Sequence, residues 1–253
     1  MAEILYGRNA VREALRAQRR TLHQLLVSSG AQETGSLGEI IKLAEQANVE
    51  VLRVDRHDLD RQLRQVNHQS VALKCSDYPY VELEECLSLA EDRNEPALLL
   101  MLDHLQDPQN IGTLLRTAEV IGVHGVIIPG RRAADVTPAV VNASAGATEH
   151  LNIAMVTNLA QTIVNLQRSG VWSVGVENDE RAQDYDRVDL NIPLVLVIGA
   201  EGAGMARLTR ERCDYMVRLP MRGQIDSLNA ATAGSLVLYH AWRIRDRQSH
   251  LTE

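Results

Sequence analysis

The chain contains no phenylalanine, and aromatic residues make up only 3% of its 253 positions. A core must therefore come from Leu, Val, Ile and Ala, and RNA capture on aromatic stacking platforms is disfavoured. Cysteine is scarce as well. Cys75, Cys86 and Cys213 stand far apart, with no CxxC or Cys/His spacing. This pattern argues against a disulfide framework or a zinc site, so no metal is expected, and it fits a reducing cytoplasm. No apolar run approaches the roughly 18–20 residues of a membrane span, so no membrane partner is expected. The start, Met1 to Tyr6, lacks the basic region and apolar stretch of a signal peptide. Lysine is nearly missing, with only Lys42 and Lys74.

Apolar residues make up 45% of the chain, ample for a core. The net charge is −7, which by itself disfavours a polyanionic partner, but the charge is unevenly spread. Residues 1–76 hold 11 Lys and Arg against 9 Asp and Glu, while the remainder hold 15 against 24. Arginines cluster at Arg8, Arg12, Arg16, Arg19 and Arg20, and again at Arg53, Arg56, Arg61 and Arg64. Arginine suits bidentate phosphate contacts, which points the N-terminal part toward a polyanion. A coding bias toward arginine explains the same preference.

Periodicity divides the chain at residues 75 and 96. Residues 1–75 read as a small α/β domain with helices at 9–17, 37–47 and 56–65 and strands at 22–28, 49–54 and 70–74. Residues 76–96 hold Pro79, Pro96 and seven acids against one Arg, and read as a linker carrying a short helix over 81–90. From residue 97 strands and helices alternate. Strands are expected at 97–103, 125–129, 151–156, 171–176, 194–198 and 216–219, and helices at 108–121, 137–145, 158–168, 208–213 and 227–245. The alternation implies βαβ units and a parallel sheet, so residues 97–253 form an α/β domain.

Three segments of that domain carry candidate chemistry, each with a plainer alternative. In Asp103-His-Leu-Gln-Asp-Pro-Gln-Asn110, an amide sits at a strand–helix junction, with Arg116 six residues on. Together they could hold a ribose and its phosphate; separately they read as an Asx cap and a salt-bridged arginine. Gly199-Ala-Glu201-Gly-Ala-Gly204 is neither GxGxxG nor GxxxxGK[ST]. It is a loop whose backbone amides can approach a ligand closely, or simply a left-handed turn. Pro220 to Asn229 opens a long helix with a small-residue start. Ser227 is a good N-cap there, and Asn229 can aim its amide into a site. The last two segments follow strand ends, where open α/β sheets bind ligands.

Taken together, Asn110…Arg116-Thr-Ala, Gly199-Ala-Glu201-Gly and Leu219-Pro-Met221…Ser227-Leu228-Asn229 resemble the SpoU/TrmH family of SPOUT-class RNA ribose 2′-O-methyltransferases. Tyr6-Gly-Arg-Asn-Ala-Val-Arg-Glu-Ala-Leu15 and His68-Gln-Ser-Val71 resemble the substrate-binding domain of the branch that methylates a guanosine ribose in 23S rRNA. The chain departs from the family at Ala231, usually Ser, and at Ser70, usually Gly. The resemblance implies a deep trefoil knot in the C-terminal domain. It implies S-adenosylmethionine as methyl donor, met by Gly199, Leu219, Met221 and Leu228. It implies a catalytic set of Asn110, Arg116, Glu201, Ser227 and Asn229, and a homodimer whose sites are completed across the interface. The expected substrate is 23S rRNA, ahead of tRNA in the same family or a non-catalytic role in ribosome assembly. The family's proposed base is Arg116. A guanidinium stays protonated in proteins, so a phosphate clamp is the physically sounder role, with Glu201 orienting Arg116 or taking the proton through water.

Overall fold

The computed structural model describes residues 3–64, 66–130, 135–179 and 182–249. Two units emerge from the chain. The first comprises residues through Pro79 together with Val136–His150, and the second comprises Tyr80–Asp135 and the residues from Leu151 onward.

The first unit begins with β1 (Glu3–Tyr6), α1 (Arg8–Ala17), β2 (Leu22–Ser28), α2 (Gly35–Gln46), β3 (Glu50–Val54), α3 (Arg56–Gln62) and β4 (Val71–Cys75). The sheet order is β1-β4-β2-β3, with β4 antiparallel to both neighbours and β3 parallel to β2. β1 escapes the sequence pattern because it is four residues long and defined by its pairing, Glu3 opposite Cys75 and Tyr6 opposite Ala72. Helix α1 buries Ala10, Val11, Ala14 and Leu15, one stripe at helical spacing.

The turn before β4 shows the backbone cost of one family departure, Ser70 in place of glycine. His68 is buried; its Nδ1 accepts the Ser70 backbone N–H at 3.0 Å, so Nε2 carries the proton and donates to Asp60 at 2.8 Å. The Gln69 side-chain oxygen accepts the Arg8 backbone N–H at 2.9 Å. Gln69 and Ser70 have φ of 53° and 68°, and side chains in that region cost roughly 1–2 kcal/mol per residue. Ser70→Gly should therefore stabilise the protein by about 0.5–1 kcal/mol after glycine's greater unfolded-state entropy is counted. Urea unfolding reads this directly, and an unchanged or lower midpoint would count against a strained turn.

The second unit starts with α4 (Leu83–Asp92), inside the segment read as a linker. It is not a free tether. Glu85 accepts the Glu82 backbone N–H at 3.0 Å, which fixes the helix start, and Cys86 and Ala90 are buried in the core of the second unit. Then come β5 (Leu98–Asp103), α5 (Pro108–Val120) and β6 (Gly125–Pro129). The next helix, α6 (Pro138–Ala143), is shorter than its apolar pattern suggests, and with the 3-10 turn Ala147–His150 it belongs to the first unit. The chain then returns for β7 (Ile153–Val156), α7 (Leu159–Arg168), β8 (Trp172–Val176), β9 (Gln183–Asp184), β10 (Leu194–Gly199), α8 (Arg207–Arg212), β11 (Tyr215–Arg218) and α9 (Ala230–Ser249).

These strands form one sheet ordered β7-β6-β5-β10-β8-β11-β9, and each neighbouring pair is parallel. The α/β fold with a parallel sheet and a small N-terminal unit is as the sequence implies. β5, β6 and β10 are buried at every position, as continuous apolar strands should be. The small residues of α9 serve close packing: a Cβ on Gly234 would lie 2.7 Å from Leu114 Cδ2 on α5.

All three cysteines are free. Burial pushes Cys75 up to about 11 and Cys213 up to about 12, so neither is poised as a nucleophile. Among the described residues no helix is long and apolar enough to cross a membrane.

Candidate functional site

The carboxyl ends of β8, β10 and β11 surround a cavity of about 580 Å³, within the roughly 300–1,000 Å³ of small-molecule sites. One wall is the glycine loop. Ala200 and Gly204 exchange backbone hydrogen bonds, N–H to O at 3.1 and 2.9 Å, so the loop doubles back on itself. This return brings backbone against backbone. A Cβ on Gly199 would sit 2.4 Å from both the Gly204 carbonyl carbon and the Met205 nitrogen, so no side chain fits at the end of β10. The opposite wall is the segment after β11, which brings Leu219, Met221, Ser227, Leu228 and Asn229 to the cavity.

Asn229 is the hub of the site. Its side-chain oxygen accepts the Thr232 backbone N–H at 3.0 Å and so caps α9. Its Nδ2 donates to Asn110 Oδ1 at 2.8 Å and to the Glu201 carboxylate. Three residues from three separate segments thus converge on one amide. Asn110 is available because Asp107, not Asn110, caps α5, accepting the Asn110 backbone N–H at 3.1 Å.

Two expectations change at this point. Ser227 does not cap α9, which begins only at Ala230; its hydroxyl donates to the Asp226 carboxylate at 3.4 Å. Asparagine caps as well as serine does, and the cap that also joins Asn110 and Glu201 wins. Within one chain Arg116 makes no bond to Glu201, whose carboxylate receives Asn229. Six residues are about 1.7 helical turns, so Arg116 and Asn110 project about 120° apart around α5. Arg116 is exposed and has no hydrogen-bond or ion-pair partner among the described residues. Ala231, the other departure, is buried, so no hydroxyl is missed at the cavity there.

Sequence reading overlooked Glu177 and Asn178, the two residues after β8, which also line the cavity. Their signal was position: they follow a strand end in a parallel sheet. It also overlooked a function for Asp103. This buried carboxylate accepts the Ala206 backbone N–H at 2.7 Å and the His104 ring, fixing the far end of the glycine loop.

The cavity combines exposed backbone, the apolar side chains of Leu219, Met221 and Leu228, and a carboxylate excess. Glu201 and Asp226 line it with no ion-pair partner among the described residues, while Glu177 is paired with Arg210 at 2.9 Å and Arg218 with Asp184 at 3.2 Å. Such a site fits a ligand with an apolar planar part and a positive charge.

Known proteins bear directly on this arrangement. Residues 97–239 match the SpoU rRNA methylase family, and residues 4–81 match the family described as RNA 2′-O ribose methyltransferase substrate binding. Bacillus subtilis YacO, named for the TrmH family of tRNA/rRNA methyltransferases, is 41% identical over 244 residues, covering 96% of each chain. A Staphylococcus aureus protein named for the same family is 39% identical over 242 residues, again covering 96% of each chain. Among solved structures, the SpoU methyltransferase AviRb of Streptomyces viridochromogenes, in complex with AdoMet, is 28% identical with a TM-score of 0.77, covering 97% of this chain and 91% of that one. An AdoMet-bound rRNA methyltransferase from Sinorhizobium meliloti is 25% identical with a TM-score of 0.76, covering 96% of this chain and 87% of that one. With the family match extending over more than half of its length, two of the three segments that first suggested it lining the cavity, and Asn110 of the third bonded to Asn229, the chain belongs to the SpoU/TrmH family and is an RNA methyltransferase.

Proposed function

We propose that the chain methylates a ribose 2′-hydroxyl in RNA with S-adenosylmethionine as donor, and that the substrate is a guanosine of 23S rRNA. The observation that carries this reading is the convergence of Asn110, Glu201 and Asn229 at the mouth of an acidic, partly apolar cavity. When bound, S-adenosylmethionine supplies a sulfonium-activated methyl group. Gly199, Leu219, Met221 and Leu228 hold it by backbone and apolar contact. Glu201, Asn229 and Asn110 set the geometry at the reacting end, and Ser227 lies beside them on the same wall. Arg116 clamps the phosphate next to the target ribose and stabilises the developing alkoxide, while Glu201 takes the hydroxyl proton through water.

Homodimerisation belongs to the same reading. Arg116 shares a face of α5 with Val120, four residues on, which is 66% exposed. On α9, which packs against α5, Leu236 and Tyr239 are also exposed. An unpaired arginine within exposed apolar surface is the composition of an interface core, and a second copy buried there would receive Arg116 in its own site. The trefoil knot is likewise part of the proposal: β10 lies between β5 and β8, and the segments after β10 and β11 meet through Asn229 and Glu201. Residues 1–75, which lie in the first unit, are assigned to RNA capture, in the cytoplasm. Of their arginines, Arg20 is buried, whereas Arg53, Arg56, Arg61 and Arg64 are exposed, Arg53 pairing with Glu33 and Arg56 and Arg61 with acids of their own helix.

Transfer of labelled methyl from S-adenosylmethionine to 23S rRNA, tRNA or neither, followed by nuclease mapping of the labelled nucleotide, tests the assignment. Label in tRNA alone would move the substrate, and label in neither would overturn the enzyme reading. A sharper check is Asn229→Asp. It keeps the cap oxygen for Thr232 but turns an amide donor into a second carboxylate facing Glu201. Turnover should fall about 100-fold, with the unfolding free energy changed by less than about 1 kcal/mol. Retained turnover would remove Asn229 from the catalytic set.

A further inference from the structure

The end of β8 touches both walls of the cavity, one residue for each. Asn178 donates its side-chain amide to the Asp226 carbonyl at 2.7 Å. The segment it reaches, residues 220–229, is exposed at every position, with Ile225 at 75%. Among the described residues, the only other side-chain bonds tying this ten-residue strap to the rest of the unit are those of Asn229. The strap carries Met221, Ser227 and Leu228, which line the cavity. Glu177 serves the other wall. Arg210 binds both of its carboxylate oxygens, at 2.9 and 3.1 Å, and also donates to the Met205 carbonyl at 3.3 Å. That carboxylate lies where a Cβ on Gly204 would be, 2.6 Å from Oε1, so the ion pair buttresses the return of the glycine loop.

We propose that Glu177 and Asn178 are positioning residues for the methyl donor, Asn178 acting as the latch that holds the strap over its pocket. This rests on the reading of the cavity as an S-adenosylmethionine site. A latch acts on donor affinity rather than on the reacting atoms. Ordering a ten-residue strap costs conformational entropy, and a strap already tied at Asp226 has less to lose when the donor binds.

The test uses the full chain. In Asn178→Ala, calorimetry with S-adenosylmethionine and with S-adenosylhomocysteine should show about 10-fold weaker binding, the effect of one lost hydrogen bond. The donor KM should rise by the same factor with kcat nearly unchanged, because the lost interaction is uniform between ground and transition states. Asn178→His, which keeps an N–H donor at similar reach, should recover most of the affinity. A second readout is independent of the donor's identity. Trypsin cleavage after Arg222, exposed in the strap, should be several-fold faster in ligand-free Asn178→Ala than in the unaltered protein. Equal donor affinity, or a fall in kcat with KM unchanged, overturns the latch. If the unaltered protein binds neither ligand, the donor reading itself fails; the trypsin comparison then still reports whether Asn178 holds the strap.

Discussion

Arg116→Lys is expected to lower methyl-transfer turnover at saturating RNA about 100-fold, and Arg116→Ala somewhat further, with thermal stability unchanged. The stability half follows from geometry. Arg116 is exposed on α5 and has no partner among the described residues, so its removal breaks nothing in the fold. The turnover half follows from chemistry. A guanidinium presents a planar fork of donors matched to two phosphate oxygens, whereas an ammonium with the same charge cannot reproduce that geometry. A clamp that aligns the ribose and meets charge developing on its 2′-oxygen acts in the transition state, so its loss appears in kcat. If Arg116 serves the partner's site, mixed dimers of Arg116→Ala with Asn229→Asp hold one site with both residues intact. Such mixtures should recover activity that neither variant shows alone. Near-normal turnover in Arg116→Lys would end the clamp assignment, and absence of complementation would place Arg116 in its own chain's site.

Much of this arrangement could be read from residue order. β5, β6 and β10 are continuous apolar runs of strand length, as strands buried on both faces should be, and their alternation with helices implies a parallel sheet. The site segments were legible for the same reason, since they follow strand ends. Other features were fixed by contacts distant in sequence. β1 exists by pairing with β4, some seventy residues away. Asn229 rather than Ser227 caps α9 because Asn110 and Glu201 hold its amide, and no local propensity registers such partners. The acids and prolines of residues 76–96 suggested a tether, yet two small side chains, Cys86 and Ala90, commit its helix to a core. Arg20 stood among surface arginines in the sequence and proves to be buried. The carboxylate that makes this tolerable comes from a segment 129 residues later in the chain.

That pairing sets the largest expected change in stability: Glu149→Ala should cost about 3–5 kcal/mol, the penalty for leaving a buried charge without its partner. The side chains of Arg20 and Glu149 are both fully buried. Arg20 Nε donates to the two Glu149 oxygens at 3.2 and 3.0 Å, and Nη2 donates to one of them at 2.9 Å. Its Nη1 reaches Glu3 at 2.6 Å and the Ser76 carbonyl at 3.1 Å, and the guanidinium lies 5.1 Å from the centre of the Tyr78 ring. Burial opposes the charge, but the bonds to Glu149 and then Glu3 outweigh it and raise the Arg20 pKa above the usual guanidinium value. Alanine at 149 leaves only Glu3 among the described residues, a quarter exposed, to balance that charge. Val136–His150, which joins the first unit from between β6 and β7, loses its buried ionic tie. Against the roughly 5–15 kcal/mol that holds a typical domain folded, the loss is severe. Arg20→Met combined with Glu149→Leu removes both charges and fills the space, so it should recover most of the stability that either single change loses. Urea unfolding of the two single variants and the double variant forms a complete cycle. A loss below about 1 kcal/mol for Glu149→Ala, or a double variant no more stable than the singles, would show that the pair does not anchor residues 136–150 in the first unit.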